Sequence, residues 1–399
     1  MAIDNKDKKI LNVPHLRFPE FSGEWEMVSL QDIATINPKS DPLQNTFIYI
    51  DLEAVEKGEL RKIQEIMREE APSRAQRVID NNDILFQCVR PYQKNNYIHR
   101  ILNTSNQQWV ASTGYAQIRT TELPNYIYHL LNTDEFNRKV MVRCTGSSYP
   151  AINSEDLATI HLYYTPDKKE QLKISRLLDL LDKRIATQNK IIEKYESLIQ
   201  AISQKVLRPS EYWNEYRLCE LADIRSGYSG NQVSHKTAYA VSRIETISKH
   251  RIDMLRVGYV QDIPSEYKLN VGDILFSNIN SIQYIGNTAF VDKEYNLYHG
   301  MNLLRIIPKP SLVIPRFLHL ILCTSMAIKH FQSICNKAVS QASINQTSLG
   351  KIMLHIPPLT CQEQICNVFE SVEQRLNLEV YYLKRIQLQK NYLLRQMFI

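Results

Sequence analysis

The 399-residue sequence lacks the features of a membrane protein, a secreted disulfide-rich protein or a zinc ribbon. No run approaches the roughly 18 consecutive apolar residues of a membrane span, and the polar first residues contain no signal-peptide core. The seven cysteines are odd in number and form no Cys-x-x-Cys pair, so their spacing predicts neither a disulfide framework nor a zinc ribbon. We therefore expect a cytosolic protein whose cysteines are reduced and mostly buried.

Catalytic motifs are absent as well. The sequence contains no Gly-x4-Gly-Lys-Ser/Thr phosphate loop and no Gly-x-Gly-x-x-Gly turn, so nucleotide binding has no motif behind it. The ten histidines show no metal-binding spacing, and His129 and His319 are interpreted as packed or surface residues of amphipathic helices. Asp167, beside Pro166, is better explained as a helix cap than as a nuclease carboxylate. We predict no catalytic residue and no metal ligand.

Charge is distributed unevenly along the chain. Residues 25–165 carry 14 basic against 17 acidic side chains, whereas residues 213–356 carry 15 against 10. Within the first of these segments, residues 84–154 hold seven basic side chains against three acids. A domain with one basic face fits phosphate binding, and a solvated surface of mixed charge is the alternative.

Two stretches, residues 166–208 and 357–399, carry apolar side chains at alternating spacings of four and three, in frames 191 residues apart. This spacing is typical of coiled-coil helices. A helix of ~40 residues is ~60 Å long, longer than a 140-residue domain, so each needs an equally long partner. We predict that the two helices pack on each other through Ile174, Leu178, Leu181, Ile185, Ile192, Ile199, Ile202, Ile365, Phe369, Val372, Leu376, Leu383, Leu393 and Met397. Two unrelated amphipathic helices, each covering its own domain, are the alternative.

The sequence also repeats itself. Asp83-Ile-Leu-Phe recurs at Asp273, Ala151-Ile-Asn recurs as Ser343-Ile-Asn, and the phrase that Trp25 opens recurs at Trp213, all at offsets of 188 to 192 residues. Both halves mix strand and helix patterns, which predicts an α+β fold with a pseudo-two-fold internal repeat. The expected divisions are an N-terminal arm (1–24), a first domain (25–165), a long helix (166–208), a second domain (209–356) and a second long helix (357–399).

Several motifs together resemble the specificity (S) subunit of type I restriction-modification systems. They are the arm ending in Phe21-Ser-Gly-Glu-Trp25, the two Asp-Ile-Leu-Phe strands, the Pro-x4-Gln start of each long helix and the duplicated plan. The resemblance implies two target recognition domains joined by two long antiparallel coiled-coil helices. It also implies that each domain reads half of a split target in double-stranded DNA, and that the subunit itself is not catalytic.

The same resemblance implies partners. Two methyltransferase (M) subunits are expected to dock on the helices, and restriction (R) subunits to complete the holoenzyme. S-adenosylmethionine, ATP and Mg²⁺ are expected on those partners, and no cofactor on this chain. A duplicated scaffold that binds protein partners without reading DNA is the alternative function.

Candidate DNA contacts follow from side-chain chemistry and position. Arginine bonds guanine edges and asparagine bonds adenine edges, and Arg90 and Asn280 each lie seven residues past the aspartate of an Asp-Ile-Leu-Phe strand. Small polar loops and basic residues supply further candidates for base or phosphate contacts. The full set is Arg74, Arg77, Arg90, Lys94, Ser147, Ser148 and Tyr149 in the first domain, and Arg243, Lys249, Arg251, Asn278, Asn280, Ser340 and Gln341 in the second. A solvent-facing polar surface is the alternative for each.

Overall fold

A computed structural model describes residues 12–100, 107–337 and 341–399. The chain forms two compact units. Unit 1 comprises Met1–Lys190 and Tyr381–Ile399, and unit 2 comprises Ile191–Val380. Each unit therefore contains one α+β domain together with part of each long helix.

Unit 1 is built mainly from short strands. Two four-stranded sheets, in the orders β6-β3-β10-β7 and β2-β11-β8-β9, accompany the pairs β1-β12 and β4-β5. The strands are β1 (Glu26–Ser29), β2 (Ala34–Ile36), β3 (Thr46–Ile50), β4 (Val55–Glu56), β5 (Glu59–Leu60), β6 (Gln64–Met67), β7 (Ala75–Ile79), β8 (Ile84–Gln87), β9 (Tyr97–Ile98), β10 (Gln108–Ser112), β11 (Tyr115–Thr120) and β12 (His161–Tyr164). The helices that begin in this unit are α1 (Leu30–Ile33), α2 (Pro124–Leu131), α3 (Asp134–Arg143), α4 (Ser154–Ala158) and α5 (Lys168–Val206).

Unit 2 repeats part of this plan. The order β2-β11-β8 recurs as β14-β24-β20, and the pair β1-β12 recurs as β13-β27. Its strands are β13 (Asn214–Arg217), β14 (Ala222–Ser226), β15 (Gln232–Val233), β16 (Tyr239–Val241), β17 (Ile247–Ser248), β18 (Arg251–Ile252), β19 (Gly258–Val260), β20 (Ile274–Phe276), β21 (Ile279–Asn280), β22 (Thr288–Phe290), β23 (Leu297–Tyr298), β24 (Leu304–Pro308), β25 (Asn336–Lys337), β26 (Ala342–Ser343) and β27 (Met353–Ile356). Its helices are α6 (Leu218–Leu221), α7 (Pro315–Leu322), α8 (Ser325–Ile334), α9 (Gln346–Gly350) and α10 (Leu359–Met397).

The core of each unit packs a helix pair against the central sheet. Phe86 of β8 contacts Phe136 of α3 edge to face at 5.8 Å, and Phe276 of β20 contacts Phe331 of α8 at 5.0 Å. Edge-to-face pairs add to the free energy gained by burying aromatic surface. The equivalent contact in the two units shows that the internal repeat extends to the core.

The helical spacing of residues 125–140 and 315–334 predicts one helical stretch in each half, but the structure breaks each stretch in two. Thr133 accepts a hydrogen bond from the N–H of Phe136 and caps α3, and Thr324 accepts one from the N–H of Ala327 and caps α8. A threonine that caps a new helix has an extended backbone, so the preceding helix ends there.

Helices α5 and α10 each contain 39 residues, a length of about 58 Å. Within unit 1 they run in opposite directions, because the arm binds both Glu170 at the start of α5 and Gln396 near the end of α10. Lys390 pairs with Asp182 in unit 1, and Arg375 hydrogen-bonds Tyr195 in unit 2. All fourteen predicted seam residues are buried or half-buried.

The Pro-x4-Gln motif ties each long helix to the domain before it. Gln171 accepts a hydrogen bond from the N–H of Leu123, at the start of α2, and donates to the carbonyl of Thr165 at 2.7 Å. Gln362 likewise accepts from the N–H of Ile314, at the start of α7, and donates to the carbonyl of Pro357 at 2.8 Å. Both glutamines are fully buried, so each amide satisfies backbone groups that water cannot reach.

The described part of the N-terminal arm, residues 12–24, contains no helix or strand and packs within unit 1. Arg17 binds the buried Glu170 with two hydrogen bonds of 2.7 and 2.9 Å. The N–H of Leu16 donates to the carbonyl of Gln396 near the end of α10. The arm therefore joins the start of α5 to the end of α10 within this unit.

Two further observations bear on the sequence predictions. Within the described residues, no helix combines the length and the apolar character that crossing a bilayer requires. All seven cysteines are free, but only Cys88 and Cys335 are buried and Cys219 is exposed. The expectation that most cysteines are buried was wrong, because several lie on partly exposed helix faces.

Candidate nucleic-acid interface

Unit 1 brings together the two loops that the sequence marked as candidate contacts. The first loop, Cys88–Lys94, follows β8, and the second, Thr145–Ala151, precedes α4. The N–H of Arg90 donates to the carbonyl of Pro150 at 2.8 Å, and the N–H of Ile152 donates to the carbonyl of Cys88 at 3.1 Å. We call this arrangement the unit 1 loop pair.

Within the unit 1 loop pair, Arg90 stacks on Tyr149. The guanidinium carbon lies 4.3 Å from the centre of the Tyr149 ring, which is a cation–π contact. The Tyr149 side chain is exposed, and no carboxylate of the described residues pairs with Arg90. A half-exposed arginine held flat by an aromatic ring keeps its donors available for a base edge or a phosphate.

Buried amides hold the first loop in shape. Gln87 accepts a hydrogen bond from the N–H of Asn95 at 3.1 Å, and its own N–H donates to the side chain of Asn96 at 2.8 Å. Arg90 and Lys94 both have left-handed backbones, with φ of 55° and 53°. Such strained positions persist where surrounding contacts fix them, and they cluster at functional sites.

Arg77 lies in the middle of β7, and Arg74 immediately precedes that strand. The Nε atom of Arg77 is buried without a hydrogen-bond partner in the described structure, and burial lowers the pKa of this guanidinium. A buried cationic donor without an acceptor is costly, and a bound anion would offset that cost. Arg74 is exposed and pairs with no carboxylate of the described chain.

The other unit 1 candidates are less uniform. The ammonium of Lys94 lies 2.8 Å from Asp134 and donates to the carbonyl of Asn132 at 3.1 Å, so it is already engaged within the unit. Ser147 and Ser148 are exposed at the tip of the second loop. The structure therefore presents the two serines to solvent beside Tyr149, while Lys94 supports the loop.

Unit 2 repeats the loop pair with different side chains. The N–H of Ile344 donates to the carbonyl of Asn278 at 2.9 Å, as Ile152 does to Cys88, and β21 pairs with β26. Gln341 is exposed beside this pairing, and Ser340 lies outside the described residues. We call this arrangement the unit 2 loop pair.

The two candidate asparagines of unit 2 differ in their hydrogen bonding. The side-chain carbonyl of Asn278 is buried without a partner among the described residues. Asn280 donates to Ser277 at 3.1 Å and accepts from the N–H of Ser281 at 2.8 Å, so its amide is used locally. Asn278 therefore has the less satisfied amide of the two.

The remaining candidates of unit 2 are all exposed. Lys249 lies in the tight turn between β17 and β18, and Arg251 is the first residue of β18. Arg251 donates to the side chain of Asn377 on α10 at 3.1 Å. Arg243 is exposed and lies 3.6 Å from Glu245. All three side chains are therefore accessible to a ligand.

Several basic residues of residues 84–154 are neutralised by carboxylates. Lys94 pairs with Asp134, Arg119 with Asp80 and Asp83, and Arg138 and Lys139 with Glu135. The excess of basic residues in the sequence therefore does not produce an unbalanced positive face from these four side chains.

Sequence reasoning missed the ion pair at the start of each Asp-Ile-Leu-Phe strand. Arg119 of β11 binds the buried Asp83 with two hydrogen bonds of 2.9 and 2.7 Å, and Arg305 of β24 lies 2.7 Å from Asp273. The repeat of the aspartate was the available signal, but the partner arginines lie at different distances along the chain. These pairs fix the strands that lead into the loop pairs.

Comparison with known families matches the chain twice. A family model described as the type I restriction modification DNA specificity domain matches residues 22–197 and again residues 210–387. Each match contains one loop pair and most of one long helix.

Two curated proteins are similar over part of the chain. The putative type I restriction enzyme MjaX specificity subunit of Methanocaldococcus jannaschii is 38% identical over 184 residues, which are 44% of this chain and 43% of that protein. The type I restriction enzyme HindI specificity subunit of Haemophilus influenzae is 24% identical over 186 residues, 45% of this chain and 37% of that protein. The match therefore spans less than half the length of either relative.

Two solved structures share the fold. A chain from a study of complex assembly and conformational transition of the type I R-M system has a TM-score of 0.59 at 20% identity, covering 93% of this chain and 96% of that chain. The S subunit of the type I restriction-modification system from M. genitalium has a TM-score of 0.60 at 13% identity, covering 97% and 99%. At these identities the likeness shows the fold alone.

Proposed function

This chain belongs to the type I restriction modification DNA specificity family, and we propose that it reads a bipartite target in double-stranded DNA, one half with each unit. The specificity subunits of this family are not catalytic, so the proposed role of the chain is recognition. The chemistry of methylation and cleavage is then supplied by other subunits.

The observation that carries this proposal is the repeated loop pair. The same backbone hydrogen bond, Ile152 to Cys88 and Ile344 to Asn278, holds the two loops together in each unit. The side chains on that common frame differ: the unit 1 loop pair carries Arg90, stacked on Tyr149, and the unit 2 loop pair carries the half-buried Asn278 and Asn280. Arginine favours guanine edges and asparagine favours adenine edges, so the two frames suit half-sites of different sequence.

We assign the phosphate contacts to basic residues around the loop pairs. Arg77, with its unpartnered Nε, and the exposed Arg74 supply them in unit 1, and Lys249, Arg251 and Arg243 supply them in unit 2. Phosphate contacts position a protein on DNA without reading sequence. The remaining candidates, Ser147, Ser148, Gln341 and Ser340, are assigned to either class of contact.

We further propose that two methyltransferase (M) subunits dock on α5 and α10 and that restriction (R) subunits complete a cytoplasmic holoenzyme. S-adenosylmethionine, ATP and Mg²⁺ are assigned to those partners. Exposed apolar side chains follow both helices, and contiguous exposed apolar surface marks interaction sites. They are Leu172, Leu180 and Leu198 on α5, and Leu378, Val380, Tyr381, Tyr382, Leu388 and Tyr392 on α10.

Methylome mapping of cells that express this chain with its methyltransferase subunit tests the reading of half-sites. We expect Arg90→Ala to weaken or relax one half-site while the other half-site stays unchanged. Loss of one bidentate base contact costs about 1–3 kcal/mol in discrimination. Arg138→Ala is the matched control, because Arg138 is exposed on α3 and, among the described residues, pairs only with Glu135. A change in both half-sites, or in neither, would contradict the assignment of Arg90.

Gel retardation separates this proposal from a protein-binding scaffold. The assembled chain and methyltransferase should bind a duplex that contains the mapped target, and the affinity should fall steeply as salt rises, because phosphate contacts release counterions. Protein assembly without salt-sensitive DNA binding would favour the scaffold.

A further inference from the structure

Three side chains that commonly bind metal ions converge in unit 2, apart from the loop pairs. His319 and Cys323 lie one helical turn apart at α7, and His250 lies in the turn between β17 and β18. The Sγ atom of Cys323 is 3.3 Å from Nδ1 of His250 and 3.4 Å from Nε2 of His319. The three donor atoms all lie within 4.8 Å of one another.

These distances fit a tetrahedral metal ion. With Zn–S bonds of about 2.3 Å and Zn–N bonds of about 2.0–2.1 Å, a sulfur and a nitrogen ligand of one zinc ion lie about 3.5 Å apart. Both sulfur–nitrogen distances in this cluster are within about 0.3 Å of that value. Each nitrogen therefore lies at a coordinating distance from the sulfur, and the two nitrogens lie within 4.8 Å of each other.

The fold holds each ligand in place. His319 is buried, and its ring lies 5.5 Å from that of Phe290. Lys249 and His250 both have left-handed backbones, with φ of 49° and 62°, in a two-residue turn that usually contains asparagine or glycine. This strained turn places Nδ1 of His250 3.3 Å from the sulfur of Cys323.

The environment of the cluster shifts the pKa of all three candidate ligands. Burial lowers the pKa of both His250 and His319. Burial raises the pKa of the Cys323 thiol to about 12, so coordination releases one thiol proton. Thr288 lies 3.2 Å from the same sulfur.

Arg316 and Glu373 also face the cluster. Arg316 donates through Nη1 to Nδ1 of His319 at 2.9 Å, which places the ring proton on Nε2, toward the sulfur. An ion on Nε2 requires that proton on Nδ1, so Nη1 must turn away. Arg316 keeps its pair with Glu373 during this change, because both contacts, 2.5 and 2.6 Å, come from Nη2.

We propose that His250 Nδ1, His319 Nε2 and Cys323 Sγ bind a Zn²⁺ ion, with a solvent molecule as the fourth ligand. Two imidazoles and a thiolate are ligands that suit zinc. His250 is exposed, so solvent reaches the fourth position from the side of the turn. The ion links the β17–β18 turn to α7.

This link has a consequence for recognition, which rests on the proposed function. The turn carries Lys249 and leads into Arg251, both of which we assign to phosphate contacts. A zinc ion that fixes the turn on α7 would hold these two cations in one position before DNA binds, and preorganisation lowers the entropy cost of binding.

The test uses the full chain, stripped of metal with a chelator and titrated with Co²⁺. We expect one equivalent of Co²⁺ to produce a near-ultraviolet charge-transfer band from the thiolate, and Zn²⁺ to abolish it. Cys323→Ser should remove the band, and His250→Ala should weaken Co²⁺ binding at least about tenfold. Cys335→Ser is the matched control, because Cys335 is buried in the same unit and is not part of the cluster.

The outcomes are distinct. The absence of stoichiometric Co²⁺ and Zn²⁺ binding by the wild-type chain, or a band that persists in Cys323→Ser, would overturn the proposal. Circular dichroism checks that the variants fold. Because the titration contains no DNA, loss of DNA recognition with normal metal binding would count against the proposed function alone.

Discussion

At the scale of single residues, the buried histidine of unit 1 makes the stability of that unit depend on pH. His99 is fully buried, its ring lies 4.9 Å from that of Trp109, and neither ring nitrogen has a hydrogen-bond partner in the described structure. Burial lowers the pKa of His99 to about 4. Between about pH 6.5 and 4 the unfolded chain therefore binds a proton that the folded chain does not, so stability falls as pH falls through this window.

Replacing His99 with leucine should raise stability more in acid than in base. At pH 5 we expect an additional gain of about 2 kcal/mol over the gain at pH 8, because the proton uptake of the unfolded state is removed. Thermal unfolding at the two pH values measures the difference. His161→Leu, at an exposed strand position, is the control and should show no such dependence. An equal effect of His99→Leu at both pH values would show that the histidine does not titrate on unfolding.

The sequence identifies the chemistry of single residues better than their contacts. It marked Arg90 and Tyr149 as separate candidates, but their stacking joins positions 59 residues apart and depends on the backbone pairing of Val89 with Ala151. It marked Lys94 by charge alone, although Asp134 engages that ammonium. The grouping of His250 with His319 and Cys323 has no local signal, because the histidine lies 69 residues before its nearest partner in the chain.

At the scale of elements, a buried glutamine at the start of each long helix ties that helix by hydrogen bonds to the domain before it. The glutamine oxygen accepts a hydrogen bond from a backbone N–H at the start of a second helix, that of Leu123 before α2 or that of Ile314 before α7. Leaving a buried backbone N–H without an acceptor costs about 1–3 kcal/mol. The pairing therefore explains why a Pro-x4-Gln pattern opens both helices.

Gln171→Leu and Gln362→Leu should each destabilise the chain by about 2 kcal/mol, because each variant removes the partner of at least two backbone groups. Hydrogen exchange followed by peptide mass spectrometry should locate the loss: faster exchange near α2 for Gln171→Leu, and near α7 for Gln362→Leu. Gln204→Leu, at an exposed position of α5, is the control. Exchange that rises equally in both units would contradict a local role.

The long helices were predictable because their apolar spacing is continuous over 40 residues, whereas shorter elements were less so. Thr133 and Thr324 divide the shorter helical stretches. The sequence pattern alone does not show that the hydroxyl of a threonine among periodic apolar residues caps a new helix. The second loop of each loop pair was found by its small polar residues. The first loop was found by its position after the Asp-Ile-Leu-Phe strand, but the pairing of the two loops depends on backbone hydrogen bonds that the sequence does not reveal.

At the scale of the whole molecule, the repeat gives one chain two similar frames with different recognition side chains. The order β2-β11-β8 and its counterpart β14-β24-β20 preserve the core, whereas the sheets beyond β8 and β20 differ. Duplicated landmarks in the sequence predicted the shared part. The differing strands could not be predicted from the repeat, because the repeat is absent there.

Lengthening both long helices should change the unread spacer of the DNA target and leave the half-sites unchanged. We suggest inserting four helix-forming residues after Lys190 in α5 and four after Val380 in α10, at the points where the chain passes between units. Because the helices are antiparallel, matched insertions preserve the contacts of both helix ends, including Phe398 with Trp25. Each insertion adds about 6 Å and a rotation of about 40°.

An extension of about 6 Å corresponds to nearly two base pairs at ~3.4 Å each, so the methylated sites of the variant should show a spacer longer by two base pairs. Long-read methylome mapping measures both the spacer and the half-sites. Four residues inserted after Lys293, in an exposed loop of unit 2, form the control and should leave the spacer unchanged. Altered half-sites with an unaltered spacer would show that the helices do not set the spacing between the half-sites that the two units contact.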